Sequence, residues 1–236
     1  SDLARLEAEN AGHPIGDAEW EVEAAARTFE FYAGAPNKHH GSTIPVMDPG
    51  LAITLREPVG PCALIVPWNF PLLIASWKVA PALACGNPII LKPASLTPLT
   101  ALALGDVLVD AGVPPEAVHV LAGPGSQVGD LLVGDPRIAK VGFTGETATG
   151  AHILRTSSEN ITRVSLELGG KSAAVVFADA DLQRAAASIP MAVFGNAGQD
   201  CCARSRILVE RSAYDDFVTA FAAATAEITV GEPLDR

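Results

Sequence analysis

Two adjacent thiols, Cys201 and Cys202, follow Gly195-Asn196-Ala197-Gly198-Gln199-Asp200 and stand just before the apolar run Ile207-Leu208-Val209. A cysteine on a tight, glycine-bounded loop is a candidate nucleophile, because its thiolate forms covalent intermediates readily near neutral pH. Upstream, Glu167 lies in Ser165-Leu166-Glu167-Leu168-Gly169-Gly170-Lys171. A carboxylate on a glycine-rich turn among apolar residues is a candidate general base. Cys201 is read as the nucleophile and Glu167 as the base. The structural alternatives are an inert buried thiol and a helix-cap carboxylate or partner of Lys171. Asn69 sits in Pro67-Trp68-Asn69-Phe70-Pro71. A primary amide held in a rigid turn suits an oxyanion donor, unless it only satisfies its own turn.

These residues need a scaffold, and the hydrophobic rhythm supplies one. Residues 2–30 are helical in pattern, with Leu3, Leu6, Trp20, Val22, Ala25 and Phe29 recurring among acids. Thr43-Ile44-Pro45-Val46, Asp48-Pro49-Gly50 and Leu51-Ala52-Ile53-Thr54-Leu55 read as strand, turn and strand, a hairpin that projects or pairs with something outside itself. From Pro61 onward, short apolar strands (63–66, 88–91, 118–121, 138–143) alternate with helices (72–83, 97–110, 123–132, 145–155). Such alternation builds an α/β fold, a Rossmann-like, mostly parallel sheet with helices on both faces. Ligands of such sheets bind at the carboxyl ends of the strands, where Pro67–Pro71, Lys92–Ser95, Gly123–Gly129, Thr144–Thr147 and Glu167–Lys171 fall. A further strand at 173–177, a helix capped by Asp179 or Asp181, a strand at 207–209 and a helix at 212–228 with Ser212 as N-cap complete the chain.

Composition excludes several classes. With a net charge of −11 over 236 residues there is no basic stripe for nucleic acid. No apolar run reaches membrane-spanning length, and no apolar leader segment opens the chain. Four cysteines do not read as a disulfide framework, Cys62 and Cys85 having the apolar surroundings of buried free thiols; a reducing, cytoplasmic setting fits. The five histidines show no metal-ligand spacing, so no metal site is expected. Gly123-x-Gly125-x-x-x-Gly129 departs by one residue from the dinucleotide fingerprint and, taken alone, reads better as a structural glycine turn. Gly145-Glu146-Thr147 at a helix start could offer N–H groups and a hydroxyl to a phosphate, or simply cap the helix. Lys92, directly after a strand, could reach a ribose hydroxyl or phosphate, or be a solvated lysine; Lys78 is read as solvated.

Taken together, these stretches resemble the aldehyde dehydrogenase superfamily, in its NAD(P)-dependent hydrolytic branch. The likeness is carried, in family order, by Pro67-Trp68-Asn69-Phe70-Pro71, Gly86-Asn87-Pro88-Ile89-Ile90-Leu91-Lys92-Pro93-Ala94, Gly142-Phe143-Thr144-Gly145, Leu166-Glu167-Leu168-Gly169-Gly170-Lys171 and Phe194-x-Asn196-x-Gly198-Gln199-x-Cys201-x-Ala203. It spans essentially the whole chain. It implies that Cys201 attacks an aldehyde, with Cys202 only its neighbour, and that Asn69 and the Cys201 N–H hold the oxyanion. Hydride would pass to NAD or NADP, and Glu167 would activate the water that opens the thioester. The resemblance assigns Trp68, Lys92, Ser95, Gly125, Gly129, Gly145, Glu146, Thr147 and Leu168 to the cofactor. Residues 1–40 would be N-terminal helices, 41–58 an oligomerisation-type hairpin, 59–168 the cofactor-binding domain and 169–236 an incomplete start of the catalytic domain, in a homo-oligomer (dimer or tetramer).

Three departures from the family pattern matter. Ser95 stands where a glutamate often binds the adenosine ribose, which removes a repulsion toward a 2′-phosphate and predicts tolerance of NADP. Glu146 stands where serine is common, an unfavourable charge beside a pyrophosphate unless it points away. Members of the family run to about twice this length. The competing readings are a catalytically silent nucleotide-binding or assembly fragment, and a cysteine-dependent esterase activity of the same Cys201 and Glu167. Phe70, Trp77, Asp200 and Cys202 are the residues nearest an aldehyde, and they select no substrate class.

Overall fold

The computed structural model describes residues 1–235. Two helices open it, α1 (Asp2–Ala11) and α2 (Ile15–Ala33). The Ser1 hydroxyl accepts the Ala4 N–H at one end of α1, and Gly12, in the left-handed region at φ 78°, ends it. A small antiparallel hairpin follows, β1 (Thr43–Ile44) and β2 (Ala52–Ile53), with Thr43 opposite Ile53.

The central sheet has five parallel strands, β3 (Cys62–Ile65), β4 (Ile89–Lys92), β5 (Val118–Val120), β6 (Lys140–Gly145) and β7 (Arg163–Leu168), in the order β5-β4-β3-β6-β7. Between them run α3 (Pro71–Ala84), α4 (Leu99–Asp110), α5 (Asp130–Gly134) and α6 (Thr147–Ser157). The chain first winds outward from β3 through β4 to β5, then returns to the other side of β3 to form β6 and β7. The reversal leaves a crevice between the carboxyl ends of β3 and β6, the place where such sheets receive ligands. Every residue of β3 is buried, because helices cover both sheet faces. Cys62 and Leu64 pack with Leu72, Val79 and Leu104 of α3 and α4, while Ala63 and Ile65 pack with Leu132, Val133 and Ile153 of α5 and α6. A separate parallel pair, β8 (Ala173–Val176) and β9 (Arg206–Val209), packs on α7 (Leu182–Phe194) and α8 (Tyr214–Ala226) around Phe217, which is 2% exposed.

Several local expectations are corrected. Glu167 is not on a turn: it is the fifth residue of β7, paired with Thr144. β7 is an edge strand whose Arg163, Ser165 and Glu167 point outward while Val164, Leu166 and Leu168 pack inward, so the neighbouring glycines mark only its end. Gly145 does not open a helix; it closes β6, and α6 begins at Thr147. The segment after Gly123 forms a wide helical turn (Gly125–Gly129) before the short α5. Ser212 is not an N-cap: its hydroxyl donates to Glu210 Oε1 at 3.2 Å, and α8 starts at Tyr214 with no capping side chain. Cys62 is buried as expected, but Cys85 is exposed, because it closes α3 at the surface. Among the described residues, no helix is long and apolar enough to cross a membrane.

Candidate active site

The loop from β3 to α3 carries Asn69, and three parts of the fold hold it. Its side-chain Nδ2 donates to the Gln199 carbonyl at 2.8 Å. Its own carbonyl accepts Asn196 Nδ2 at 3.0 Å and lies 2.7 Å from His13 Nε2. These contacts fasten the Asn69 amide to the segment that carries Cys201, and an amide nitrogen keeps a second proton for another acceptor.

That segment is locally strained. Asn196 and Ala197 both adopt left-handed backbone (φ 51° and 54°), a region that costs a residue with a Cβ about 1–2 kcal/mol. The Asn196 carbonyl accepts both the Gln199 N–H and Gln199 Nε2, which closes the turn. Asp200 Oδ1 then accepts the Cys202 N–H at 2.8 Å. The Cys201 carbonyl rests on Gly170, where an added Cβ would come within 3.4 Å of it. The glycines after β7 therefore let the cysteine loop approach the end of the strand that bears Glu167.

Cys201 and Glu167 line one open cavity of about 920 Å³, with Cys202, Thr144, Trp77 and Lys78. Both thiols are exposed and their sulfurs are 3.8 Å apart. Desolvation, then the Cys202 thiol, then the Asp200 carboxylate push the Cys201 pKa up to about 11, so the group rests as a thiol at neutral pH. Lys78, read from sequence as solvated, belongs to this cavity. Burial lowers its pKa to about 8, against the opposing pull of Glu167 and with the help of Lys140. Its sequence signal was masked by the apolar run of α3. The fold also brings the ligand atoms of Asp200, Cys201 and Cys202 within 4.8 Å of one another, although no metal motif is present in the sequence.

The residues assigned to a cofactor gather along the carboxyl edge of the sheet, apart from this cavity. Lys92 is buried rather than solvated: its Nζ donates to the Pro93 carbonyl at 2.6 Å, and burial lowers its pKa. Its stem lies beside Gly129, where a Cβ would be 3.8 Å from Lys92 Cδ. Ser95 Oγ donates to the Gly123 carbonyl at 2.9 Å, so Lys92, Ser95 and the Gly123–Gly129 turn form one surface, with Gly125 open beside it. Trp68 is 43% exposed, and its carbonyl accepts Thr97 Oγ1 at 3.2 Å. Gly145 and Leu168 are register partners, and Leu168 packs on Gly150 of α6. Glu146 and Thr147 are exposed at the start of α6, where no side chain caps the first-turn N–H groups. Free N–H groups at a helix start beside an open glycine turn are a fit for the pyrophosphate of a dinucleotide; the exposed Glu146 carboxylate can point away from it.

A family model described as "Aldehyde dehydrogenase family" matches residues 1–236. Over 235 residues the chain is 44% identical to retinal dehydrogenase 2 of Homo sapiens, covering 99% of this chain and 45% of that protein. It is 44% identical over 241 residues to cytosolic 10-formyltetrahydrofolate dehydrogenase of Homo sapiens, covering 100% of this chain and 27% of that one. The crystal structure of PnpE in complex with nicotinamide adenine dinucleotide superposes with a TM-score of 0.96 at 42% identity, over 100% of this chain and 48% of that one. The chain thus spans about half the length of most of the relatives it matches, and less of the formyltetrahydrofolate enzyme.

Proposed function

The chain belongs to the aldehyde dehydrogenase family, and from its site we propose that it oxidises an aldehyde to a carboxylic acid, with Cys201 as nucleophile, Glu167 as general base and Asn69 as oxyanion donor. The observation that supports this best is that the Cys201 thiol and the Glu167 carboxylate, from separate elements, line one cavity. NAD or NADP, held by Trp68, Lys92, Ser95, the Gly125 and Gly129 turn, Gly145, Glu146, Thr147 and Leu168, supplies the hydride acceptor.

The residues divide the chemistry as follows. The Cys201 thiol must lose its proton before it attacks, and Glu167 is the carboxylate in the same cavity that can take it, directly or through a water. Sulfur then bonds to the aldehyde carbon, and the carbonyl oxygen becomes an oxyanion held by the second Asn69 N–H and the Cys201 backbone N–H. Departure of hydride from that carbon leaves a thioester on Cys201. After passing the thiol proton to solvent, Glu167 takes a proton from water, the water oxygen bonds to the acyl carbon, the carbon–sulfur bond breaks, and the thiolate is restored with release of the acid. Splitting the reaction at the thioester lowers each barrier. A functional thiol 3.8 Å from a second one requires a reducing compartment, which favours the cytoplasm. The exposed apolar hairpin is assigned to contact between copies in a homo-oligomer.

The test is reduced-nicotinamide absorbance of the intact protein with a panel of aldehydes and NAD or NADP. Cys201→Ser is expected to abolish turnover while dinucleotide binding persists. Glu167→Gln is expected to keep a first-turnover burst and stall afterwards. Because position 95 offers no carboxylate, NADP is expected to support turnover as well as NAD. Turnover retained by Cys201→Ser ends the nucleophile assignment, and an exclusive preference for NAD ends the Ser95 assignment. A cysteine esterase would act on activated esters without any nicotinamide.

A further inference from the structure

Buried ionisable groups are costly unless their polar atoms are matched, and the junction of α1 and α2 encloses three of them. Glu7 comes from α1, Glu21 from α2 and His13 from the bend between the helices, and none is more than 2% exposed. His13 Nδ1 lies 2.7 Å from Glu21 Oε1, and Nε2 lies 2.7 Å from the Asn69 carbonyl oxygen. A carbonyl only accepts, so Nε2 carries a proton. Nδ1, at ion-pair distance from the Glu21 carboxylate, needs a proton as well to be attracted to it, although the two do not meet in hydrogen-bond geometry. The pair therefore retains one proton more than a neutral imidazole beside a carboxylate. Glu7 Oε1 accepts the Leu72 N–H at 3.2 Å, and the His13 ring stands 5.3 Å from that of Phe70, so the cluster grips both sides of the Asn69–Phe70 peptide.

The surroundings favour keeping that proton. The titratable groups around the ring are Glu7 from α1, Glu21 and Asp17 from α2, and Asp200 from the cysteine loop, all carboxylates. The loop before α3 and the end of α7 add Phe70 and Met191 to the adjoining cavity of about 220 Å³, and among the described residues no lysine or arginine lines it. Burial by itself would strip the proton from His13. The nearby Glu21 carboxylate, the Asn69 carbonyl and the Glu7 charge outweigh it and raise the histidine above its usual value.

Given Asn69 as the oxyanion donor, we propose that His13, clamped by Glu21, is a positioning residue for the reaction: it holds the Asn69 carbonyl and so fixes where the Asn69 side-chain amide is presented beside Cys201. His13 touches neither substrate nor cofactor. It acts on the acylation step, because that is where the oxyanion forms.

The intact protein is compared with His13→Leu, His13→Gln, Asn69→Ala and the double variant His13→Leu/Asn69→Ala, reading the first-turnover rate of Cys201 acylation and the dinucleotide affinity. His13→Leu is expected to slow acylation roughly 10- to 100-fold with dinucleotide affinity unchanged. His13→Gln, whose amide can donate to the same carbonyl, recovers most of the rate. His13→Leu has no further effect once Asn69 is alanine, because residues acting through one another are not additive. Wild-type acylation by His13→Leu, or full additivity with Asn69→Ala, overturns the positioning role and leaves the oxyanion assignment standing. Wild-type acylation by Asn69→Ala overturns both. Should His13→Leu fail to fold, nitrogen NMR of histidine-labelled wild-type protein decides: both His13 ring nitrogens are expected to be protonated at pH 7.5, and one unprotonated nitrogen overturns the clamp.

Discussion

Cys201, the proposed nucleophile, is held in its protonated form. Its thiol sits at a pKa of about 11 through desolvation, the Cys202 thiol and the Asp200 charge, so only a small fraction is thiolate near pH 7.5. Alkylation by iodoacetamide is therefore expected to be slow at pH 7.5 and to rise steeply toward pH 10. Asp200→Asn removes one of the causes and moves that rise to lower pH. The modification rate of Cys201 followed by mass spectrometry checks both, and a rate independent of pH between 7 and 10 would contradict the thiol resting state. At this scale residue type singles out Cys201, Glu167 and Asn69, and the fold brings Cys201 and Glu167 to one cavity. The sequence is silent at Lys78 and His13. Lys78 stands in an apolar helical run, and its depressed pKa arises from burial, which outweighs the opposing pull of Glu167 and is helped by Lys140, both on strands far along the chain. His13 stands beside a proline in a bend, and its meaning comes from Asn69, which only folding brings to it.

The turn Gly195–Gly198 converts backbone strain into position. Ala197 at φ 54° gains nothing from its own side chain there, whereas the adjacent Asn196 uses its amide to hold the Asn69 carbonyl. Ala197→Gly relieves the left-handed penalty but loosens the unfolded chain, and is expected to change stability by between zero and about +1 kcal/mol. Ala197→Val, β-branched at positive φ, is expected to cost at least about 1 kcal/mol. Urea unfolding midpoints order the two variants, and the reverse order would mean that the left-handed turn does not form in solution. Elements are legible wherever a period is long enough: four of the five strands of the sheet, β3 to β6, follow from alternating apolar runs and stops, whereas β7 is not read as a strand. Glu167 was misassigned to a turn because Gly169-Gly170 dominated the reading. Its alternation with Val164, Leu166 and Leu168 is the period-two signal that identifies a strand with one exposed face. The start of α8 was misassigned because Ser212 has a capping side chain that the fold turns toward Glu210.

At the scale of the whole molecule, apolar side chains are exposed on the hairpin and on the β8–β9 pair. The hairpin exposes Met47, Leu51 and Leu55 at 104%, 76% and 71%, and the β8–β9 pair exposes Val175, Phe177 and Leu208. Surfaces of this kind mark sites of association. On the proposal that the hairpin joins copies in a homo-oligomer, Leu51→Lys with Leu55→Lys is expected to lower the mass of the intact protein measured by light scattering, and an unchanged mass would count against that proposal. The hairpin pattern records that a strand edge is free and not what covers it, so its assignment to contact between copies rests on the family resemblance alone. The hydrogen bond from Asn69 to Gln199 joins positions 130 residues apart, and that separation sets an order of events. A ribosome releases the chain from its amino end at about 5–20 residues per second, so the β3–α3 loop and the helices behind it emerge many seconds before Cys201. The reactive sulfur is thus the late arrival, delivered onto a platform that had time to assemble, and until it docks, the nascent protein carries a thiol with no partner to direct it.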